Sequence, residues 1–365
     1  MEEIMVKKIV ITGGPCGGKT SSEKWIEEEF TSLGYKVLFI GESATELISG
    51  GVAPWTCGSN ADFQKLIIKY QLEKEKLFEK AASTMNNDKI LIVCDRGAFD
   101  NKAYMNDDEY GAVMSELGYS RIDLRDRYDA VFHLVTAAKG AEEYYTTKNN
   151  EARSENISEA ISLDNKIISA WTGHPHFRVI DNKSNFENKM KRLINEIKTA
   201  LGENGPFEIE RKFLIEYPDL SYLENLSNCV KVEIMQTYLK SHNGEQIRIR
   251  QRGENGSYVF FKTIKRKLSP IKRIEIETKI SEKEYLSLLV NADSNYKPIC
   301  KSRYCLTYEG QYFEIDVFPF WDDKAVIEIE LCIENEEIVF PEFIKVIKEV
   351  TDDSSYGNYT MAKIK

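Results

Sequence analysis

The stretch KIVITGGPCGGKTSSEKW, residues 8–25, allows few folds. Five residues of strand character run into Gly13, Gly14, Pro15, Cys16, Gly17 and Gly18, and Lys19, Thr20 and Ser21 then open a helical pattern. The spacing Gly13-x-x-x-x-Gly18-Lys19-Thr20 between a strand and a helix is that of a loop whose backbone N–H groups curl around phosphate oxygens. The helix N-terminus adds a field that favours anions. In this reading Lys19 reaches the outer phosphates and the Thr20 hydroxyl sits on Mg2+. The plainer alternative is a glycine-rich turn.

The apolar runs that follow, KVLFI (36–40), ILIVC (90–94), AVFHLV (130–135) and FRVID (177–181), alternate with helical patterns at 20–33, 60–86, 110–118, 156–171 and 184–200. Continuous Ile/Val/Leu runs suit strands covered on both faces, so residues 1–200 read as a parallel sheet flanked by helices. Asp95 follows the third run, where an acid faces the ligand crevice and serves Mg2+ through a bound water or from behind its ligands. Arg96 either pairs structurally or touches a substrate. Glu42, just beyond the second run, is placed as a general base or as a structural acid. The polar segment 136–155 suits a lid, with Arg153 and Lys148 stabilising the transferring group; a solvated helix is the competitor.

The segments ITGGPCGGKT, GESATELI, CDRG, TAAKGAEEYYT and WTGHPHFRVIDN together resemble the AAA-type P-loop domain of bacterial ribosylnicotinamide kinases and insect TRPL-translocation-defect proteins, over nearly all of residues 5–200. The resemblance implies nucleoside triphosphate binding, with GTP and ATP both open; the positions of Glu42, Asp95 and Arg153 make them the catalytic candidates. Whether anything is phosphorylated stays open.

After LGENGP (201–206) the character changes, which places domains at 1–202 and 207–365. FEIERKFLI (207–215) sets Glu208, Glu210 and Lys212 against an apolar face. QIRIRQR adds Arg248, Arg250 and Arg252, and FFKTIK adds Thr263 and Lys265. RIEIETKI adds Arg273, Glu275 and Glu277; KSRYCL adds Lys301 and Arg303; QYFEIDVF adds Glu314 and Asp316; AVIEIEL adds Glu328 and Glu330. Like charges two apart on a strand repel. Their recurrence in both signs points to a closed barrel with charge inside, holding a polyphosphate with a divalent metal. A helical pattern at 341–350 precedes a polar tail.

This second half resembles the CYTH superfamily of triphosphate tunnel metalloenzymes. The resemblance implies metal ligands at Glu208, Glu210, Glu328 and Glu330, with Asp316 as a further candidate. It implies phosphate-binding groups at Lys212, Arg248, Arg250, Lys265, Arg303 and Lys301, with Mg2+ or Mn2+ as cofactor. Lys265 is preferred over Lys262 by alternation with Thr263. The expected fold is thus an α/β P-loop NTPase with a parallel sheet flanked by helices, followed by an antiparallel β-barrel or tunnel domain. The order of the two modules resembles the insect translocation-defect proteins along the whole chain. That family implies guanine-nucleotide binding and a tunnel for a triphosphate or a phospholipid headgroup. Three functions follow: a metal-dependent triphosphatase, a nucleotide-regulated binding or trafficking protein, and a small-molecule kinase.

A net charge of −10 argues against a general grip on nucleic acid or anionic lipid. The seven cysteines lack paired zinc spacing and read as buried thiols of a reducing compartment. Without a signal-peptide pattern or a run of about 20 apolar residues, the expectation is a cytoplasmic protein with at most peripheral membrane contact.

Overall fold

The expected strand runs of the first half form one parallel sheet in the computed structural model, which describes residues 5–145, 156–203, 209–241, 245–267, 273–331 and 336–364. The chain divides into two units, Met1–Ala200 and Leu201–Lys365.

In the first unit, β1 (Met5–Thr12), β2 (Lys36–Ile40), β3 (Lys89–Asp95), β4 (Ala130–Leu134) and β5 (Phe177–Ile180) lie in the order β2-β3-β1-β4-β5. All four pairings are parallel. Around them run α1 (Lys19–Ser32), α2 (Ser43–Ser49), α3 (Asn60–Ala82), α4 (Asp107–Leu117), α5 (Arg121–Arg125), α6 (Ile157–Trp171) and α7 (Phe186–Ala200). The sheet forms because its strands are apolar on both faces: Ile90, Leu91, Ile92, Val93 and Cys94 are all buried. Side chains of Ser59, Asn106, Ser120 and Asn156 start α3, α4, α5 and α6 by accepting a hydrogen bond from a backbone N–H three residues on. β1 lies between β3 and β4, so the loop leaving it opens at the carboxyl ends of its neighbours, where ligands of such sheets bind.

The second unit is antiparallel. Its strands are β6 (Ile209–Glu216), β7 (Cys229–Leu239), β8 (Gln246–Glu254), β9 (Ser257–Lys267), β10 (Arg273–Ile280), β11 (Ile299–Tyr308), β12 (Gln311–Val317), β13 (Lys324–Leu331) and β14 (Val346–Glu349). Helices α8 (Leu220–Asn225), α9 (Glu282–Leu288) and α10 (Asn358–Ala362) accompany them. The sheet order is β10-β9-β8-β7-β11-β12-β13-β6-β14. Among the described pairings none joins β10 to β14. Two hairpins turn on paired left-handed residues, Asn255–Gly256 (φ 51° and 82°) and Glu309–Gly310 (φ 47° and 75°), the twist that two-residue turns need.

Period-two alternation splits this sheet into unlike faces. Phe213, Ile215, Tyr304, Leu306, Phe313, Ile315, Ile327 and Ile329 form one core with Leu223 of α8 and with Phe340 and Ile344. The charged residues take the other face. The helix expected at 341–350 is instead the exposed strand β14, paired with β6 through a register shift between Val346 and Lys348. The spacing of its apolar residues imitates a helix, but the β-branched Val346 and Ile347 lie beside the otherwise unpaired edge of β6.

The six described cysteines are free thiols. Burial was expected of all of them; Cys94 and Cys305 are buried, Cys300 is exposed, and Cys16, Cys57 and Cys229 lie between. Cys300 sits at the start of β11 on the face away from the charges, where alternation turns it to solvent.

Candidate functional sites

In the first unit the glycine-rich loop packs directly on the end of β4. A Cβ on Gly13 would lie 2.1 Å from the Leu134 carbonyl oxygen and one on Gly17 would lie 2.5 Å from it, so glycine is required at both. Gly13 and Gly18 also have φ of 144° and 98°, and Cys16 is left-handed at 57°. The loop is held from behind by buried polar groups. Asp164 of α6 accepts hydrogen bonds from the backbone N–H of Gly14 (2.8 Å) and of Thr136 (3.1 Å), and lies 2.9 Å from His133 Nε2. Lys189 of α7 donates to the carbonyls of Gly17 (3.0 Å) and Val135 (2.8 Å) and to Asn182 Oδ1 (2.7 Å). Burial lowers its pKa to about 8. The sequence reading missed both residues. Each carries a legible signal: an acid, and a lysine, on the apolar face of an amphipathic helix.

Pro15, Cys16, Gly17, Gly18, Lys19, Thr20 and Ser21 line a cavity of about 1370 Å³ together with Glu42 and Asp95. Lys19 Nζ donates to the carbonyls of Gly13 (3.1 Å) and Gly14 (3.2 Å). Burial and the neighbouring Arg96 guanidinium lower its pKa to about 8 against the pull of Asp95, Glu42 and Asp100. Asp95 is raised, mainly by burial, and its Oδ1 is buried without a hydrogen-bond partner. That orphaned oxygen lines the same cavity as Thr20 and fits a hard cation.

Glu42 is different. Burial alone would raise it, but the Arg96 guanidinium and the Lys19 ammonium hold it down to about 2. It pairs with Arg96 Nε and accepts from Thr45 Oγ1 at 2.7 Å. A carboxylate held so low is a weak base at neutral pH; this geometry makes it the anchor of Arg96. Arg96 itself has φ 68°, and its N–H donates to the Ile11 carbonyl at 3.0 Å. The strained residue after β3 is thus pinned in the crevice.

In the second unit, strand register puts Lys212, Arg248, Arg250, Lys265, Lys301, Arg303, Asp316, Glu328, Glu330 and Glu210 on one face of the sheet. Arg303 is the hub. Its guanidinium meets Asp316 at 2.6 and 2.7 Å, Glu328 at 2.8 Å, and Glu314. Lys301 pairs with Asp316. Lys212 Nζ lies 2.7 Å from Glu328 and 3.4 Å from Glu210. Burial opposes all these charges, yet the Lys212 and Arg303 cations hold Glu328 far below the usual carboxylate range, and Glu328 and Glu210 raise Lys212 above the usual ammonium. Arg250 shows the opposite balance. Burial, with repulsion from Arg248, Arg252 and Arg303, outweighs Glu277 at 2.8 Å and lowers it. Arg248 donates to Gln236 Oε1 at 3.2 Å, and Lys265 stands opposite Gln246 in register.

Carboxylates also face carboxylates. Glu210 is the cross-strand partner of Glu330, and Glu314 that of Glu328. Opposed carboxylates of this kind suit a hard divalent cation. Among the described residues no group of three or more His, Cys, Asp or Glu is gathered as a metal site. Glu208, Arg153 and Lys148 lie outside the described residues. The sequence reading left Glu277, Glu314 and Arg252 out of the site, although alternation had put all three on the charged face.

Two family models match the chain: an AAA domain over residues 8–189 and a CYTH domain over residues 206–353. Among solved structures, that of an inorganic triphosphatase shares 28% identity over 43% of this chain and 94% of its own, with a TM-score of 0.29. A Pyrococcus horikoshii protein shares 19% identity over 35% of this chain and 81% of its own, with a TM-score of 0.27. No curated protein matches. Among the described residues no helix is long and apolar enough to cross a membrane.

Proposed function

The chain belongs with proteins that join an AAA domain to a CYTH domain, and from that premise we propose a nucleotide-binding phosphohydrolase. The first unit binds GTP or ATP with Mg2+ on Lys19, Thr20 and Asp95. The second binds a condensed phosphate with Mg2+ or Mn2+ on the charged face and hydrolyses it. The observation that carries this reading is the crowding of Arg248, Arg250, Arg252 and Arg303 beside a row of carboxylates on one sheet face. Guanidinium and ammonium groups take phosphate oxygens, and opposed carboxylates take the cation.

The ion pairs of this face also link the two ligands. A phosphate that draws Lys212 and Arg303 away frees Glu328, Glu314 and Asp316 for a metal, so anion and cation each favour the other. The bound metal would lower the pKa of an attacking water. Lys212, Arg303 and Lys301 orient the phosphate chain. Incubation with tripolyphosphate and Mg2+ or Mn2+ is expected to release orthophosphate, and the Glu328→Gln, Glu330→Gln variant is expected to be at least 100-fold slower. Release no faster than from that variant refutes the hydrolase. Vesicle flotation without hydrolysis would favour a phospholipid headgroup as the ligand and a trafficking role.

A second reading, a small-molecule kinase, is favoured by the size of the first cavity. At about 1370 Å³ it exceeds the ~300–1,000 Å³ typical of a pocket for one small molecule, and it runs past the phosphate loop to Gln64, Asn101 and Tyr104. Under this reading a panel of nucleosides stimulates ATP or GTP consumption above the basal rate; no stimulation by any of them counts against it.

A further inference from the structure

A loop that binds phosphate through its backbone N–H groups has to turn its own carbonyl oxygens away from the anion. In the first unit those oxygens are already engaged. The Gly17 carbonyl accepts from Lys189 Nζ at 3.0 Å, and the Pro15 carbonyl accepts from the Thr136 hydroxyl at 2.5 Å. The Gly13 and Gly14 carbonyls accept from Lys19 Nζ at 3.1 and 3.2 Å. One amide also points backward: the Gly14 N–H donates to Asp164 Oδ1 at 2.8 Å.

Lys19 and Lys189 both reach the cavity wall, yet they are not equivalent. An ammonium has three hydrogens to donate. Lys189 is buried and spends all three, on the Gly17 and Val135 carbonyls and on Asn182 Oδ1. It has no donor left for a ligand. Asp164 is used in the same way. Its Oδ1 meets the Gly14 and Thr136 N–H groups and His133 Nε2, and the whole side chain is buried.

Asn182 completes the frame by donating to the Thr136 and Lys139 carbonyls, both at 2.8 Å. The phosphate loop, the end of β4 and the residues after β5 are thus locked together through side chains of α6 and α7. Taking two charges out of water opposes folding, and apolar side chains would pack these helix faces at lower cost. Packing alone therefore gives no reason for an acid and a lysine here.

We propose that Asp164 and Lys189 are positioning residues for nucleotide binding, which fix the phosphate loop from behind before the ligand arrives. The inference deepens the nucleotide reading of the first unit and rests on it. A loop held in its binding geometry loses little freedom when phosphate enters, and affinity gains by that difference. The two residues act by bonds of unlike sign. A carboxylate behind an anion site repels the anion, so Asp164 helps only through the hydrogen bonds it accepts. Asparagine keeps the oxygen that accepts them, and its Nδ2 falls where Oδ2 has no hydrogen-bond partner.

The test is calorimetric titration of the full chain with ATP and with GTP in Mg2+, which reads affinity and stoichiometry separately. Binding that Lys19→Met weakens belongs to the first cavity. Asp164→Ala and Lys189→Met are each expected to weaken it at least tenfold at unchanged stoichiometry, and Asp164→Asn is expected to stay within threefold of the parent. A purely structural role would lower the melting temperature or the stoichiometry and leave the affinity of the folded molecules unchanged; that result overturns the inference. Asparagine as weak as alanine overturns it too, because the accepted bonds are kept. Where Asp164→Ala fails to fold, Lys189→Met decides alone: parental affinity in that variant overturns the inference. A parent that binds neither nucleotide in a Lys19-dependent way overturns the nucleotide reading itself, and the inference with it.

Discussion

Replacing Arg303 with methionine is expected to lower the melting temperature of the C-terminal unit at pH 8 by on the order of 10 °C, taking ~3–5 kcal/mol for a broken buried ion network. One guanidinium holds Asp316, Glu314 and Glu328 together, and Arg303 and Asp316 are both buried. Without it these carboxylates keep their burial and lose the counter-charge they share, leaving Lys212 on Glu328 and Lys301 on Asp316. The pH dependence fixes the sign. In the parent, Glu328 is held below its unfolded pKa, so its contribution is present above the ordinary carboxylate range and is lost as pH falls. In the variant Glu328 keeps its burial with only Lys212 and Lys301 to hold it down, so less of that contribution is left to lose as pH falls. The gap between the two proteins therefore shrinks from pH 8 to pH 5. Calorimetry at both pH values checks this; a gap that is constant or grows in acid would show that Arg303 acts by packing alone.

Much of this hub was readable as alternation, and its limits are equally physical. Lys301 and Arg303, Glu314 and Asp316, Glu328 and Glu330 are each two residues apart on a strand, so period two alone puts each pair on one side. Pair distances are a different matter. Whether Lys212 meets Glu328 or Glu210 depends on register across β6 and β13, and register is set by hairpin turns and packing that the charged residues do not encode. The packing of the C-terminal segment on this sheet was invisible for a similar reason. Tyr356 and Tyr359 sit in a polar tail with no long periodic run, and only the fold brings them to Tyr238.

In the first half, the glycine spacing and the acid after ILIVC specified the cavity well, because a phosphate loop needs backbone geometry that few sequences permit. Glu42 could not be judged from sequence, since its ionisation is set by Arg96, 54 residues away along the chain. Asp164 is 150 residues from the Gly14 amide it holds. Long-range polar contacts of this kind leave only a faint local trace: one charged residue on an otherwise apolar helix face.

Lys19→Met is expected to separate stability from binding. The Lys19 ammonium is half-buried near Arg96, with its pKa lowered to about 8. A lysine depressed in the folded state costs stability at neutral pH, and that cost fades as pH rises above 8 toward its unfolded value. Without nucleotide, the methionine variant should therefore melt no lower than the parent at pH 7, and the two should converge by pH 10. Binding moves the opposite way. Phosphate oxygens would replace the Gly13 and Gly14 carbonyls as acceptors and raise the Lys19 pKa, so the complex takes up a proton. Parent affinity for nucleotide should then fall about tenfold between pH 7 and pH 9, as the free ammonium titrates. The variant should bind roughly 100-fold more weakly at pH 7, since each hydrogen bond from a charged donor to phosphate is worth ~1.5–3 kcal/mol, and should show no such slope. Titrations in two buffers of different ionisation enthalpy measure the proton directly. A parent that binds nucleotide without proton uptake at pH 8.5 would mean that Lys19 does not touch the phosphates, and the cavity would lose its principal cation.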